Sequence, residues 1–174
     1  GTVFEYDPNL NTCIKKLDID RNVIGNSITF LMLASNGKIY GVSQVSGPSL
    51  YGTLFEYNIE ENALYRRVDW GSIMRANLIE YTRGKLLGAF EHGGTFGVGR
   101  IFEFSLADNS LTIKYNFNYH PQPTYPQWLT TSTTGKIVGL SVGTVFEYDP
   151  VMPTVTKKFD FIHPTGYQPH GKLV

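Results

Sequence analysis

With 174 residues, of which 41% are hydrophobic, 17% charged and 14% aromatic, the chain can bury a core while carrying fewer charges than the roughly 25% of an average soluble domain. Its 15 Lys and Arg balance 15 Asp and Glu, and basic residues cluster no further than pairs, so the sequence offers no electrostatic footprint for nucleic acid or an anionic membrane. A single cysteine excludes an internal disulfide framework, and no apolar run approaches the ~18 residues that a membrane-spanning helix needs.

The first element is GTVFEYDP (1–8), and the same eight letters return at 143–150. Weaker copies lie between them, GTLFEYN from Gly52 and GRIFEFS from Gly99. The repeat, about 47 residues long, divides the chain into units 1–51, 52–98, 99–142 and 143–174, the last one truncated. A second landmark is a Gly-Lys pair in GKIYG (37–41), GKLLG (84–88) and GKIVG (135–139). A Leu precedes each of these pairs at a fixed distance: Leu31, Leu78 and Leu129, with Leu173 at the matching place near the end.

Each unit therefore holds four short segments. An A segment surrounds the Leu (29–34, 77–82, 128–133), and a tight turn with Gly at positive φ follows it. The B segment is the Gly-Lys-Ile-Tyr-Gly run (38–43, 85–90, 136–141). The C segment is the Thr-Val-Phe-Glu-Tyr run (2–6, 53–57, 100–104, 144–148). The D segment is the Cys-Ile-Lys-Lys-Leu-Asp-Ile type (13–19, 64–70, 111–117, 155–161). Val, Ile, Phe, Tyr and Thr dominate all four, and no period of 3.6 supports a helix. Four short strands repeated every 40 to 50 residues predict an all-β fold, a β-propeller built of four-stranded antiparallel blades. The count gives three complete blades plus parts of others. Because the chain starts inside a repeat motif, the expectation is a segment of a larger propeller; a four-bladed ring short of one strand is the other arrangement.

Alternation puts Phe4 and Tyr6 on one face of the first C segment and Val3 and Glu5 on the other, the aromatics serving as glue between blades. The recurring Glu5, Glu56, Glu103 and Glu147 look like catalytic carboxylates. A basic residue follows each in the D segment, at Lys15/Lys16, Arg66/Arg67, Lys114 and Lys157/Lys158, which predicts a cross-strand ion pair instead. Cys13, inside a D segment, reads as a small core residue, and Trp70 as a packing residue.

The pattern Gly-Thr-Val-Phe, then Asn-Gly, then Ile-Tyr-Gly and a Gly-rich link resembles the Gloeo/Verruco (GloVer) tandem repeat of bacterial exported proteins. SNGKIYG with GTLFEY, and EHGGTFGVGRIFEF, carry the resemblance, which extends over the whole chain. Arg100 in place of Thr, and Leu87 and Val138 in place of Tyr, depart from it. The resemblance implies an extracellular or cell-surface location and a propeller of tandem repeats, and it implies no reaction and no cofactor.

Functional residues are expected where the copies differ most, in the D-to-A loops. NYHPQPTYPQW (118–128) and IHPTGYQPHGK (162–172) both carry His-Pro, then Tyr, then Pro. His120, Tyr125, Trp128, His163, Tyr167 and His170 are candidates for one rim patch, with His92 of the B-to-C loop reaching the same rim. Three readings stand: a stacking surface for a glycan or a protein partner; a metal site, against which the absence of any His-x-His or His-x3-His spacing argues; or loops that merely cover the core. No Gly-x-Ser-x-Gly elbow is present, and GGTFGVG (93–99) lacks the Lys-Ser/Thr of a phosphate loop, so it reads as a strand connection. The expected function is a non-catalytic binding or interaction module, its partners a protein, a glycan or further blades of the same parent chain. A propeller-type polysaccharide lyase or glycosidase, with rim His and Tyr as acid and base, and a structural subunit of a surface assembly are the alternatives.

Overall fold

The computed structural model describes residues 1–45, 52–69, 77–119 and 123–161. Trp70 at the end of a D segment, the D-to-A loop expected from residue 162 and the A segment expected around Leu173 lie outside the described residues, as do His120, His163, Tyr167 and His170.

The described residues form strands only, with no helix. β1 (Thr2–Asp7) and β2 (Thr12–Asp18) pair as a two-stranded sheet. β3 (Asn26–Leu33), β4 (Ile39–Val45), β5 (Thr53–Asn58) and β6 (Ala63–Asp69) form the first four-stranded sheet. β7 (Ile79–Thr82), β8 (Lys85–Phe90), β9 (Arg100–Ser105) and β10 (Leu111–Asn116) form the second. β11 (Pro126–Thr131), β12 (Ile137–Ser141), β13 (Thr144–Asp149) and β14 (Thr154–Asp160) form the third. Each four-stranded sheet runs A-B-C-D in chain order, and all pairs are antiparallel. The fold is thus that of a β-propeller: three complete blades, and a C–D hairpin that is half of another. The A-to-B turns hold Gly37, Gly84 and Gly135 at φ 78°, 81° and 78°, a region closed to most side chains.

The chain divides into two compact units, 1–71 and 72–174. In the first, Asn62 Nδ2 donates to the Lys16 carbonyl at 3.0 Å and ties the half-blade to the blade of β3–β6. In the second, two blades share a core of Leu87, Ala89, Ile101, Phe117, Leu129, Ile137, Phe146 and Tyr148. Phe117 meets Phe146 edge-on at 5.3 Å. The Asn77 amide completes the join like a piece of strand: its Nδ2 donates to the Leu129 carbonyl at 2.8 Å, and its Oδ1 accepts from the Leu129 amide at 2.7 Å. Buried at 5% exposure, both ends of the amide are satisfied.

All four C–D hairpins contain a β-bulge at the same place. The register steps from Val3↔Leu17 to Phe4↔Lys15, from Leu54↔Val68 to Phe55↔Arg66, and from Val145↔Phe159 to Phe146↔Lys157; between β9 and β10 it breaks at Ile113/Tyr115. The residues passed over are Lys16, Arg67, Lys158 and Lys114. A bulge re-aims the extra side chain, and these four cations turn onto the expected carboxylates: Lys16–Glu5 2.6 Å, Arg67–Glu56 2.8 Å, Lys158–Glu147 3.2 Å and Lys114–Glu103 3.9 Å. The ion-pair expectation holds, with the bulge as its structural cause.

Two blades add a second cation from the B segment, Lys38 to Glu56 at 2.6 Å and Lys85 to Glu103 at 3.2 Å. The Tyr40 hydroxyl donates to Glu56 at 3.0 Å. Where Leu87 replaces that Tyr, Tyr81 of the neighbouring A strand bonds Glu103 instead. Arg100, in place of the usual Thr, stands opposite Asn116, in place of the usual Asp. In the other blades that pair is Thr53–Asp69 at 3.3 Å and Thr144–Asp160 at 3.2 Å. Here the guanidinium lies over the Phe90 ring at 4.5 Å, and Asn116 Oδ1 accepts from the Thr95 amide at 3.3 Å.

Two expectations are corrected. Cys13 is exposed, not a core residue. The aromatic glue fails in the half-blade, where Phe4 is 63% and Tyr6 53% exposed. Both residues sit on a two-stranded sheet with too little around it to bury them.

The C-strand tyrosine also differs in its hydroxyl. Tyr6 donates to Asn11 Oδ1 at 3.0 Å and Tyr57 to Asn62 Oδ1 at 2.8 Å, across the C–D turn. Proline 153 occupies the matching place after Tyr148. The Tyr148 hydroxyl is buried without a hydrogen-bond partner among the described residues, and burial pushes its pKa up to about 12. Tyr148→Phe should therefore be neutral or stabilise by up to ~1 kcal/mol, whereas Tyr57→Phe should cost ~1 kcal/mol. Urea midpoints of the two variants measure the contrast, and the reverse order would refute it.

Candidate functional site

The second unit carries a loop pair in which the candidate residues can be located. The B-to-C loop runs from Glu91 to Gly99, and the D-to-A loop from Phe117 to Tyr125. The first is ordered by its own backbone: the Gly99 amide donates to the Gly93 carbonyl at 3.0 Å, and Gly97 to Gly94 at 3.3 Å. Gly99 has φ 112°, and a Cβ there would lie 2.4 Å from Pro126 Cδ and 2.8 Å from the Phe90 carbonyl, so the two loops cross where only glycine fits. GGTFGVG is thus a strand connection, as expected, with a strand and not a helix after it.

Tyr125 stands at this crossing with φ 56°, in the left-handed region that a side chain enters at a cost of ~1 kcal/mol. Its amide donates to the Val98 carbonyl at 2.8 Å, and the Val142 amide to the Thr124 carbonyl at 3.3 Å; these hold the strained conformation. The Tyr125 ring packs half-buried against the core of the unit and meets His92 edge-on at 5.3 Å, with 68° between the planes. The structure therefore brings two of the expected residues together. His92 is half-exposed, with Nε2 3.9 Å from Glu91 Oε2. Trp128 is half-buried on β11, opposite Leu140 in register.

Two further aromatics share the loop pair. Phe96, at the tip of the Gly-rich loop, and Tyr119, just before His120, meet edge-to-face with centroids 6.4 Å apart. They are 42% and 61% exposed. Sequence reasoning passed over both, although a lone Phe amid four glycines of a loop is a signal: nothing in a strand pattern requires it.

The arrangement is one of exposed and half-exposed rings, suited to stacking and apolar contact. Among the described residues no group of three His, Cys, Asp or Glu is placed to hold a metal ion. Glu56 and Glu103, the most buried recurring carboxylates, are each held by two cations and a tyrosine hydroxyl.

No protein-family model and no curated protein matches this chain. Solved structures do. The extracellular domain of a B. thetaiotaomicron protein, described as a hybrid two-component system, is similar over 90% of this chain and 19% of its own, with 13% identity and a TM-score of 0.65. TolB from Acinetobacter baumannii matches 90% of this chain and 37% of its own, with 13% identity and a TM-score of 0.59. A structure of the nidogen/laminin complex matches over 93% of this chain and 56% of the matched one, with 9% identity and a TM-score of 0.63. The chain spans about a fifth of the length of the first of these. At such identities the likeness is one of fold, and the fold it shows is a β-propeller of four-stranded antiparallel blades.

Proposed function

We propose that the chain is a non-catalytic binding module of an extracellular or surface-attached bacterial protein of the GloVer repeat type. Its contact surface is the aromatic loop pair, with Phe96 and Tyr119 as exposed anchors and His92 and Tyr125 behind them. The observation that carries the reading is the exposure of two large rings in edge-to-face contact on the loop pair, where burial gives neither a reason to be there. Rings of this kind gain energy by covering a sugar face or an apolar side chain of a partner. The engagement of Glu56 and Glu103 in structural ion pairs supports a non-catalytic role, and the extracellular character of the first matched structure supports the location.

The test is a double variant, Phe96→Ala with Tyr119→Ala, compared with the unchanged chain on an oligosaccharide array and in cross-linking to the surface of the producing cell. Both side chains are exposed, so the fold should survive, and binding should weaken by at least about tenfold. Undiminished binding by the folded variant would reject this surface. Cleavage of a polysaccharide on the array, lost in His92→Ala, would favour the lyase or glycosidase reading.

A further inference from the structure

Three of the four C–D hairpins carry a Thr–Asp pair at the end away from their turn: Thr2–Asp18 at 3.3 Å, Thr53–Asp69 at 3.3 Å and Thr144–Asp160 at 3.2 Å. In the hairpin of β9 and β10 both partners change at once, to Arg100 and Asn116, which stand opposite each other in register. An aspartate at 116 would be the natural counterion of an arginine at 100. The asparagine keeps the shape and withholds the charge, and its Oδ1 accepts from the Thr95 amide at 3.3 Å. Every other Lys and Arg on the strands of the described residues lies within ion-pair distance of a carboxylate. Arg100 Nε is instead buried without a hydrogen-bond partner among the described residues, while the side chain as a whole is half-buried. The Phe90 ring supports the guanidinium at 4.5 Å and supplies no acceptor. Burial pushes the guanidinium pKa down, with no carboxylate among the described residues to raise it. A buried cationic donor without an acceptor is costly, and an anion that completes it recovers that cost.

Arg100 directly follows the Gly-rich loop, and the loop lies close over it: a Cβ on Gly94 would be 2.8 Å from Asn116 Oδ1 and 3.5 Å from Arg100 Cβ. The residue after Thr95 is Phe96, which meets Tyr119. Asn116 thus joins the unpaired cation to the loop that carries the exposed rings. We propose that Arg100 binds the carboxylate of a uronic acid in an acidic glycan, while Phe96 and Tyr119 cover a neighbouring sugar of the same glycan; this rests on the loop pair being the contact surface. The guanidinium fork matches a planar carboxylate with two parallel N–H donors. A pyranose offers C–H faces to the rings, and as a uronic acid it adds the carboxylate. One isolated cation in a chain of zero net charge suits a ligand that brings its negative charges singly, on otherwise neutral rings. A protein partner would need about 800 Å² on its side, more than two ring faces and one guanidinium supply.

Calorimetric titration tests this with hexasaccharides of galacturonate, alginate and hyaluronan, and with the same three after reduction of their carboxyls to primary alcohols. At least one acidic hexasaccharide should bind at least about tenfold more tightly than its reduced form. Arg100→Thr combined with Asn116→Asp rebuilds the pair of the other three hairpins, so the fold should be kept, and this variant should lose the acidic preference while still binding the reduced form. Arg100→Lys, which keeps the charge and loses the fork, should lose most of the preference. Phe96→Ala with Tyr119→Ala should weaken both forms alike. Equal affinity for acidic and reduced forms, both weakened by the ring variant, overturns the Arg100 assignment and leaves the aromatic surface standing. An acidic preference that survives Arg100→Thr with Asn116→Asp overturns it too. A preference that the ring variant leaves at full strength overturns the shared surface on which the proposal rests. Failure of the whole panel to bind also overturns it, and Arg100-dependent binding of a polyglutamate peptide would then make the occupant a protein.

Discussion

Gly88→Val is expected to destabilise the protein by about 3 kcal/mol or more, lowering the melting temperature by roughly 10 °C. A Cβ at Gly88 would lie 2.3 Å from Phe102 Cζ, 2.7 Å from Cε1 of the same ring and 3.0 Å from Leu78 Cδ2. Valine adds two methyl groups to that clash. The ring cannot retreat: Phe102 is fully buried and stacks on Phe90 at 4.8 Å. The same arrangement recurs at Gly41 beneath Phe55 and at Gly139 beneath Phe146, where a Cβ would lie 2.2 Å and 2.1 Å from the ring. A glycine within a strand is normally a weakness; here the cross-strand aromatic fills the space it leaves. The pair should therefore be coupled, and Phe102→Leu, costly by itself, should recover part of the loss in the Gly88→Ala background. Thermal melts of the two singles and the double measure the coupling. A Gly88→Val melt within about 2 °C of the unchanged chain would show that the sheet yields easily and that the register is not held by this contact.

Glu56→Ala is expected to cost about 2–3 kcal/mol. The carboxylate is 1% exposed and accepts from Lys38, Tyr40 and Arg67. Removing it leaves two cations facing one another, although each keeps enough contact with water to soften the loss. The pH dependence follows from the same contacts. Burial pushes the Glu56 carboxyl up, but the hydrogen bonds from Lys38, Tyr40 and Arg67 outweigh it and hold its pKa below the ordinary 4.5. The Glu103 carboxyl is likewise raised by burial and brought lower still by Tyr81, Lys85 and Lys114. A carboxyl with a depressed folded-state pKa contributes its stability above the unfolded value and loses it as pH falls through the folded one. Unfolding free energy should thus be level above about pH 5 and fall steadily below pH 4.5. Glu56→Gln should flatten that fall, since the amide has no charge to lose. Denaturant midpoints between about pH 2 and pH 6 provide the check. If the two acid limbs superimpose, the carboxylate is not the source of the acid sensitivity.

The same residues explain how far the sequence can be read. A strand's side chains alternate by a local rule and turns are marked by Asn-Gly and Asp-Pro pairs, so the repeat itself exposes the four-strand unit. The fourteen strands of the described residues fall within two or three residues of the expected segments, and β8 coincides with its segment at both ends. The Glu–cation pairs were legible because their offset recurs four times. The bulge that produces them was not, because it is a property of how two strands pair and neither strand's composition records it.

The functional residues divide in the same way. His92 and Tyr125 could be named as rim candidates from loop composition, but their 5.3 Å approach depends on two loops crossing at Gly99. Phe96 and Tyr119 are 23 positions apart in the chain and become neighbours through that same crossing.

By itself, the sequence determined the strand inventory and the blade repeat, because these follow from periodicity and turn chemistry acting over a few residues. Only the tertiary structure decided which copies of one motif are covered and which are bare. Phe4 and Phe55 stand in nearly identical sequences, and one is exposed while the other is sealed. Burial is conferred by the neighbouring strand and blade, and a residue's own segment carries no information about whether that neighbour is there.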